Sequence, residues 1–196
     1  MPITIPNILT LLRLALLPLF ILVFYLPMQG SYAICAVIFV LAALTDWIDG
    51  YLARKLNQES AFGRFCDPVA DKLMVMLALM VLVQYYATVW FTLPAMIIVG
   101  REFVISALRE WMAELGKRAH IAVSYIAKIK TAAQMVAIGT LLFAVGLGWF
   151  WLEVIGFFLL YASAVLTLWS MTLYLKAAWV TLAGLPGDFT IPEHSD

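Results

Sequence analysis

Apolar residues fill six stretches of the chain, and the polar residues collect between those stretches and at one set of their ends. The stretches have helical lengths close to the ~20 residues that cross a bilayer. Helices are therefore predicted at roughly 7–26, 31–54, 61–86, 93–115, 121–146 and 150–177. The breaks carry turn chemistry. "LPMQGS" holds Pro27 and Gly30, and "VGLGWFW" holds Gly146 and Gly148. Gly116 in "ELGKRAH" stands where a helix C-terminus favours glycine, and Pro94 in "TLP" is placed early in the fourth helix, where a missing N–H does little harm. Asp67-Pro68 reads as a cap followed by the first helical position, but Ser60 is an equal cap candidate for the third helix.

Composition strengthens this pattern. The 196 residues are 65% hydrophobic and the mean hydropathy is +0.99, far above a soluble domain. The expectation is an all-α polytopic membrane protein with six transmembrane helices. Residues 1–177 form one membrane domain and 178–196 a polar tail. The opening "MPITIPNILTLLRLALLPLF" has neither a basic start nor a small-residue cleavage site, so no signal peptide is expected and the first apolar run stays. Cys35 and Cys66 fall at opposite ends of the second and third helices, so two buried thiols are expected rather than a disulfide.

Charge fixes the orientation. The 12 Lys and Arg residues fall in loops on one side or in the helices attached to them, and the opposite loops contain none. The basic side is therefore expected to be cytoplasmic, with both termini there. Tyr25, Tyr32, Tyr85, Tyr86, Trp90, Trp149 and Trp151 collect at the other interface, as an aromatic belt does. Net charge is zero, which argues neither for nor against a nucleic-acid partner, and none is expected.

Against this apolar background, "TDWIDGYLARKLNQESAFGRFCDPVADK" (Thr45 to Lys72) concentrates four aspartates. Asp46 and Asp49 share one helix face at i, i+3; Asp67 and Asp71 share another at i, i+4. If the second and third helices pack antiparallel, four carboxylates converge near the cytoplasmic boundary. Unpaired, they would repel and suffer a large desolvation cost. Divalent metal removes both problems, and hard oxygen ligands suit Mg²⁺ or Mn²⁺; two ions would balance the charge. Gly50, Ala53 and Gly63 continue these faces and permit close approach, whether of a ligand or of a neighbouring helix. Arg54 is placed to neutralise a phosphate or simply to anchor the interface.

Taken together, Asp46, Asp49, Gly50, Ala53, Arg54, Gly63, Asp67 and Asp71 resemble the signature of the CDP-alcohol phosphotransferase family, with no departure at any motif position. The resemblance extends to the six-helix plan. It implies a metal-dependent transferase with its active site at the cytoplasmic interface. An alcohol attacks the lipid-side phosphate of a CDP-linked donor, and CMP leaves. Carried over, Asp46, Asp49, Asp67 and Asp71 are metal ligands, commonly of two Mg²⁺ or Mn²⁺ ions, and Asp71 is also the candidate base. Gly50, Ala53, Arg54 and Gly63 would line the nucleotide and diphosphate site. A homodimer is implied as well.

Other polar residues bear on the acceptor. Arg101, Glu102 and Arg109 lie within the fourth helix, and intramembrane ions are functional candidates by default. Glu102, Ser106 and Arg109 lie near one face, which would also suit a structural ion-pair network. Ser124, Lys128 and Thr131 form a stripe on the fifth helix, with Lys130 beside it, and Lys117 and Arg118 sit in the intervening loop. Arg101, Arg109, Arg118 and Lys128 make a basic pocket for an acceptor that carries its own phosphate. "IPNILTLLR", "REWMAELGKR" and "AKIKTAAQMVA" resemble the bacterial branch of the family that joins CDP-diacylglycerol to glycerol 3-phosphate in the inner membrane. Asn7, Thr10 and Arg13 recur on one side of the first helix, as donor-site neighbours or as plain interfacial polar residues. Inositol phosphate or serine are the alternative acceptors within the family. A carboxylate-lined cation transporter and an inert scaffold are the readings outside it. A transporter would spread its carboxylates across the bilayer rather than cluster them at one end. His120 and His194 suggest no zinc site.

Overall fold

The structure, a computed structural model, describes residues 5–28, 30–56, 61–114 and 125–183; of these, the side chains of 5–9, 46–56, 61–65, 67–68, 125–129, 177 and 180–183 lie outside the described set. The described residues form six α-helices and no strands: α1 Ile5–Tyr25, α2 Ser31–Leu56, α3 Ala61–Tyr86, α4 Val89–Glu114, α5 Tyr125–Leu147 and α6 Phe150–Ala183. Each predicted helix has its counterpart. Helix α5 packs against α6, α2 and α3; α1 packs on α2 and α3, and α4 on α6 and α3.

Four helices are long and apolar enough to cross a membrane: α4 throughout, and α3, α5 and α6 over Val69–Tyr86, Lys130–Leu147 and Phe150–Lys176. Among the described residues, α1 and α2 offer shorter apolar segments, Thr10–Tyr25 and Ser31–Thr45. The segment in α2 ends where the aspartates begin. Apolar residues also cover the outside. Leu22, Trp90, Met96, Phe158, Val165 and Trp179 are exposed, as suits helices bathed in lipid.

Lipid tails are as apolar as leucine, so close packing, rather than expulsion from water, must hold such helices together. The interior is accordingly built from small residues set between large ones. Cys35, Ala36, Ala78 and Ala137 are buried with Phe20, Phe91, Leu79 and Leu141. Both cysteines are buried free thiols, as expected. The tightest approach is at Gly146 of α5, where an added Cβ would lie 2.5 Å from the backbone nitrogen of Ala33 in α2.

Helix ends follow local chemistry. Gly148 takes a left-handed conformation (φ 67°) after α5, and the Trp149 N–H reaches back to the Ala144 carbonyl at 3.2 Å, closing a Schellman cap. Helix α3 ends instead on Ala87 at φ 46°, a conformation that strains a residue with a Cβ. Several boundaries differ from the sequence expectation or resolve it; α6 runs on to Ala183, past the expected 177 and into the segment read as a polar tail. Helix α3 begins at Ala61, so Pro68 falls inside it rather than opening it. Helix α4 begins at Val89, which puts Pro94 in its second turn. A proline there leaves the carbonyl four residues back without its N–H. Trp90 is that residue, and the Tyr161 hydroxyl of α6 donates to its carbonyl at 2.7 Å. A tertiary contact thus replaces the missing helical bond.

The aromatic residues of the uncharged end interlock. Phe24, Tyr32, Tyr85, Tyr86, Phe91 and Phe157 form a run of ring contacts with centroids 4.9–5.7 Å apart, and the Tyr25 hydroxyl donates to Gln84 Oε1 at 2.8 Å. This end ties five helices together and leaves the charged end to carry chemistry.

The Gly146 contact makes a direct test. Gly146→Ala should destabilise the protein by about 1–3 kcal/mol, because backbone must move to admit the methyl group. Gly139→Ala, whose Cβ would meet only Phe39 and Val40 side chains at 3.9 Å, should be near neutral. Thermal unfolding in detergent reads both; equal effects would show that the α2–α5 approach is not limiting.

Candidate active site

Asp71 is the motif aspartate whose side chain is described. It lies in the third turn of α3, and its carboxylate Oδ1 accepts a hydrogen bond from Arg13 Nη1 of α1 at 3.1 Å. The Arg13 side chain is 1% exposed and that of Asp71 32%. A guanidinium so deeply buried needs a counter-charge, and Asp71 supplies it. Thr10, one turn before Arg13, is fully buried too. Of the three residues expected beside the donor, Arg13 is the one that meets a motif aspartate.

Asp71 also lines a cavity of about 610 Å³ between α3, α4, α5 and α6. Lys72 joins it from α3; Arg101, Glu102 and Arg109 from α4; Lys130, Thr131 and Gln134 from α5; and Tyr174 from α6. Four cationic side chains thus face two carboxylates, so the wall favours an anion. The charges are organised in pairs. Glu102 Oε1 accepts from Arg101 Nη1 at 2.6 Å and from Lys130 Nζ at 2.9 Å. Lys72 Nζ donates to Ser106 Oγ at 2.7 Å, joining α3 to α4. Arg109 Nη2 donates to the Tyr174 hydroxyl at 2.9 Å. Arg101 Nε is buried and has no hydrogen-bond partner among the described residues.

Tyr174 meets both arginines. The guanidinium of Arg101 lies 5.9 Å from its ring centroid and that of Arg109 5.3 Å. Contacts of this kind contribute about 0.5–2 kcal/mol each, more as water is excluded.

The other sequence candidates are placed as follows. Asp46, Asp49, Gly50, Ala53 and Arg54 lie in the last turns of α2, and Gly63 and Asp67 in the first turns of α3. Helices α2 and α3 pack on each other and only residues 57–60 separate them, so the two acidic segments share one end of a hairpin. Their side chains lie outside the described residues, as do those of Asn7 in α1 and Lys128 in α5. Arg118 lies outside the described residues altogether. Arg101 and Arg109 come together at the cavity. Glu102 and Arg109, near one face of α4, take different partners, and Ser106 between them serves Lys72.

Sequence reasoning passed over Lys72, Gln134 and Tyr174, and set Lys130 beside the pocket rather than in it. Lys72 carried a usable signal, since it follows Asp71 directly and is itself an ion in an apolar helix. Tyr174 carried none, standing among the apolar residues of α6.

An all-helical protein with helices long and apolar enough to cross a membrane, whose sequence carries four aspartates along one hairpin and whose basic cavity is lined by the last of them, has the features of a membrane phosphotransferase. The chain belongs to the CDP-alcohol phosphatidyltransferase family, whose sequence profile matches residues 3–169. Among its relatives are the CDP-diacylglycerol–glycerol-3-phosphate 3-phosphatidyltransferases of Escherichia coli (strain K12) and Shigella flexneri serotype 5b (strain 8401). Each is 53% identical over 178 residues, covering 91% of this chain and 96% of the relative. Membership of a transferase family sets aside the transporter and scaffold readings.

Glu102 is the counter-charge for two buried cations. Glu102→Gln should lower stability by about 3 kcal/mol, since Arg101 and Lys130 would then face each other without a carboxylate. Adding Lys130→Met should restore part of the loss. Thermal unfolding of the single and double variants decides it; a simple sum of two losses would mean that the three groups do not act as a unit.

Proposed function

We propose that the protein transfers the phosphatidyl group of CDP-diacylglycerol to glycerol 3-phosphate, giving phosphatidylglycerophosphate and CMP. The relatives' names support both substrates. The observation that carries the reading is the cavity, where the Asp71 carboxylate and the side chains of Lys72, Arg101, Arg109 and Lys130 line one space. An acceptor bearing its own phosphate would place that phosphate among the cations and its hydroxyl toward Asp71. Arg101 Nε, buried and without a partner among the described residues, is a donor that such a phosphate would satisfy. Serine, a zwitterion with no net charge, would leave the excess of positive charge in the cavity unbalanced.

In the reaction, the acceptor hydroxyl oxygen bonds to the lipid-side phosphorus of the donor. The bond from that phosphorus to the oxygen it shares with the cytidylate phosphate breaks, and CMP leaves with that oxygen. Asp71 takes the hydroxyl proton as general base. Arg13 fixes the carboxylate's position through its hydrogen bond. Gly50, Ala53, Arg54 and Gly63 would line the donor's nucleotide and diphosphate, as the family resemblance implies, with Asn7, Thr10 and Arg13 as donor-site neighbours. The all-carboxylate donor set at helical spacing fits a hard cation, and Asp46, Asp49, Asp67 and Asp71 would hold Mg²⁺ or Mn²⁺. Such ions, when bound, neutralise charge on the diphosphate and the leaving CMP.

The remaining features follow from charge and length. In this reading all six helices cross a bacterial inner membrane, and the one-sided basic charge supports both termini and the active site on the cytoplasmic side, where donor tails stay in the bilayer while the head group meets a water-soluble acceptor. The homodimer rests on the family resemblance rather than on charge or length.

Two measurements test this. Purified protein given CDP-diacylglycerol should release CMP with glycerol 3-phosphate and not with inositol phosphate or serine. Release should stop with excess chelator and return with Mg²⁺ or Mn²⁺. Release that continues undiminished in chelator would remove the metal centre. Second, Asp71→Asn should slow turnover by roughly 10²–10⁴ at every Mn²⁺ concentration, as loss of a general base does. Asp46→Asn and Asp49→Asn should recover part of their activity as Mn²⁺ saturates. Full rescue of Asp71→Asn by Mn²⁺ would leave it a ligand only.

A further inference from the structure

We infer that Tyr174 of α6 is a positioning residue that holds Arg101 and Arg109 as a paired anion-binding unit at the cavity wall, so that the last helix sets affinity for the acceptor phosphate. The inference rests on the reading that this cavity receives that phosphate. The family match ends at residue 169, so Tyr174 lies beyond the segment that defines the family.

Arg101 and Arg109 stand two turns apart on α4, and their guanidiniums carry like charge. Long arginine side chains left alone would spread apart and sample many rotamers. Tyr174 opposes both tendencies. It is 8% exposed, and α6 packs against α4, so its ring is fixed before any ligand arrives. The electron-rich ring attracts both guanidiniums, at 5.9 and 5.3 Å from its centroid. Its hydroxyl accepts the Nη2 hydrogen of Arg109 at 2.9 Å, which sets that guanidinium's rotation as well as its distance. Arg101 is fixed from its other side by Glu102 at 2.6 Å. A phosphate entering the cavity would therefore meet two oriented cations whose ordering is already complete, and binding would not have to order them.

The test uses the full chain and CMP release, with separate KM values for acceptor and donor. Tyr174→Phe keeps the ring and the packing but removes the hydroxyl. It should raise the glycerol 3-phosphate KM by roughly three- to tenfold, the scale of one lost hydrogen bond of ordinary net strength, because the hydroxyl acts through Arg109 and not on the phosphate itself. The CDP-diacylglycerol KM and kcat should stay within about twofold. Tyr174→Leu, lacking ring and hydroxyl, should raise the acceptor KM further. If Tyr174 acts through Arg109, Tyr174→Phe should add nothing to Arg109→Ala. An unchanged acceptor KM in Tyr174→Phe, a loss confined to kcat, or full additivity with Arg109→Ala would each overturn the inference. Arg109→Ala alone separates the two levels. If it raises the acceptor KM and Tyr174→Phe does not, only the role of Tyr174 fails. If it leaves the acceptor KM unchanged, the cavity is not the acceptor site.

Discussion

A charge carried into an apolar helix bundle has no water to solvate it, so it must find an opposite charge or a dense set of hydrogen bonds. The charged end of this protein is organised by that requirement. Arg13 is almost wholly buried and meets Asp71 across the α1–α3 contact. Arg101 and Lys130 are buried and meet at Glu102 across the α4–α5 gap. Each pair fixes the position of one helix relative to another. Together they line a cavity in which charged side chains are set among apolar ones such as Val75, Ile98 and Met135.

The opposite end solves a different problem. There the helices hold no ionic pairs among the described residues and are tied by aromatic contacts, from Phe24 through Tyr86 to Phe157. Close approaches such as Gly146 against Ala33 and the Tyr161 bond to the Trp90 carbonyl hold the middle and that end. Packing of this kind tolerates little movement. The division suits a transferase of the membrane interface, because the rigid half stays in lipid while the charged half presents side chains to polar substrates.

Asp71 joins the two parts of the candidate site. It is the last residue of the aspartate motif, and it also lines the basic cavity. A donor diphosphate held at the motif and an acceptor phosphate held among Arg101, Arg109 and Lys130 would therefore meet at its carboxylate. Holding both reactants against one base would turn a meeting of two substrates into a step within one complex.

The sequence by itself determined the helices and the family. Six apolar stretches, four of them long enough to cross a bilayer, read as helices because an unpaired N–H or carbonyl in lipid is costly and a helix pairs its backbone within one segment. The family was equally legible, since the aspartates sit at fixed helical spacings within one hairpin. Boundaries were less legible. Pro94 argued for a later start of α4, and only the Tyr161 hydroxyl, 71 residues away, makes the earlier start affordable. The partners of the charges were decided by tertiary structure alone. Arg13 and Asp71 are 58 residues apart and Arg109 and Tyr174 are 65, and no local period relates them. Helical spacing suggested that Glu102 and Arg109 belong together, yet Glu102 turns to Arg101 and Lys130 while Arg109 turns to Tyr174. Spacing along a helix fixes which side chains share a face; only the packing of neighbouring helices decides which group each one meets.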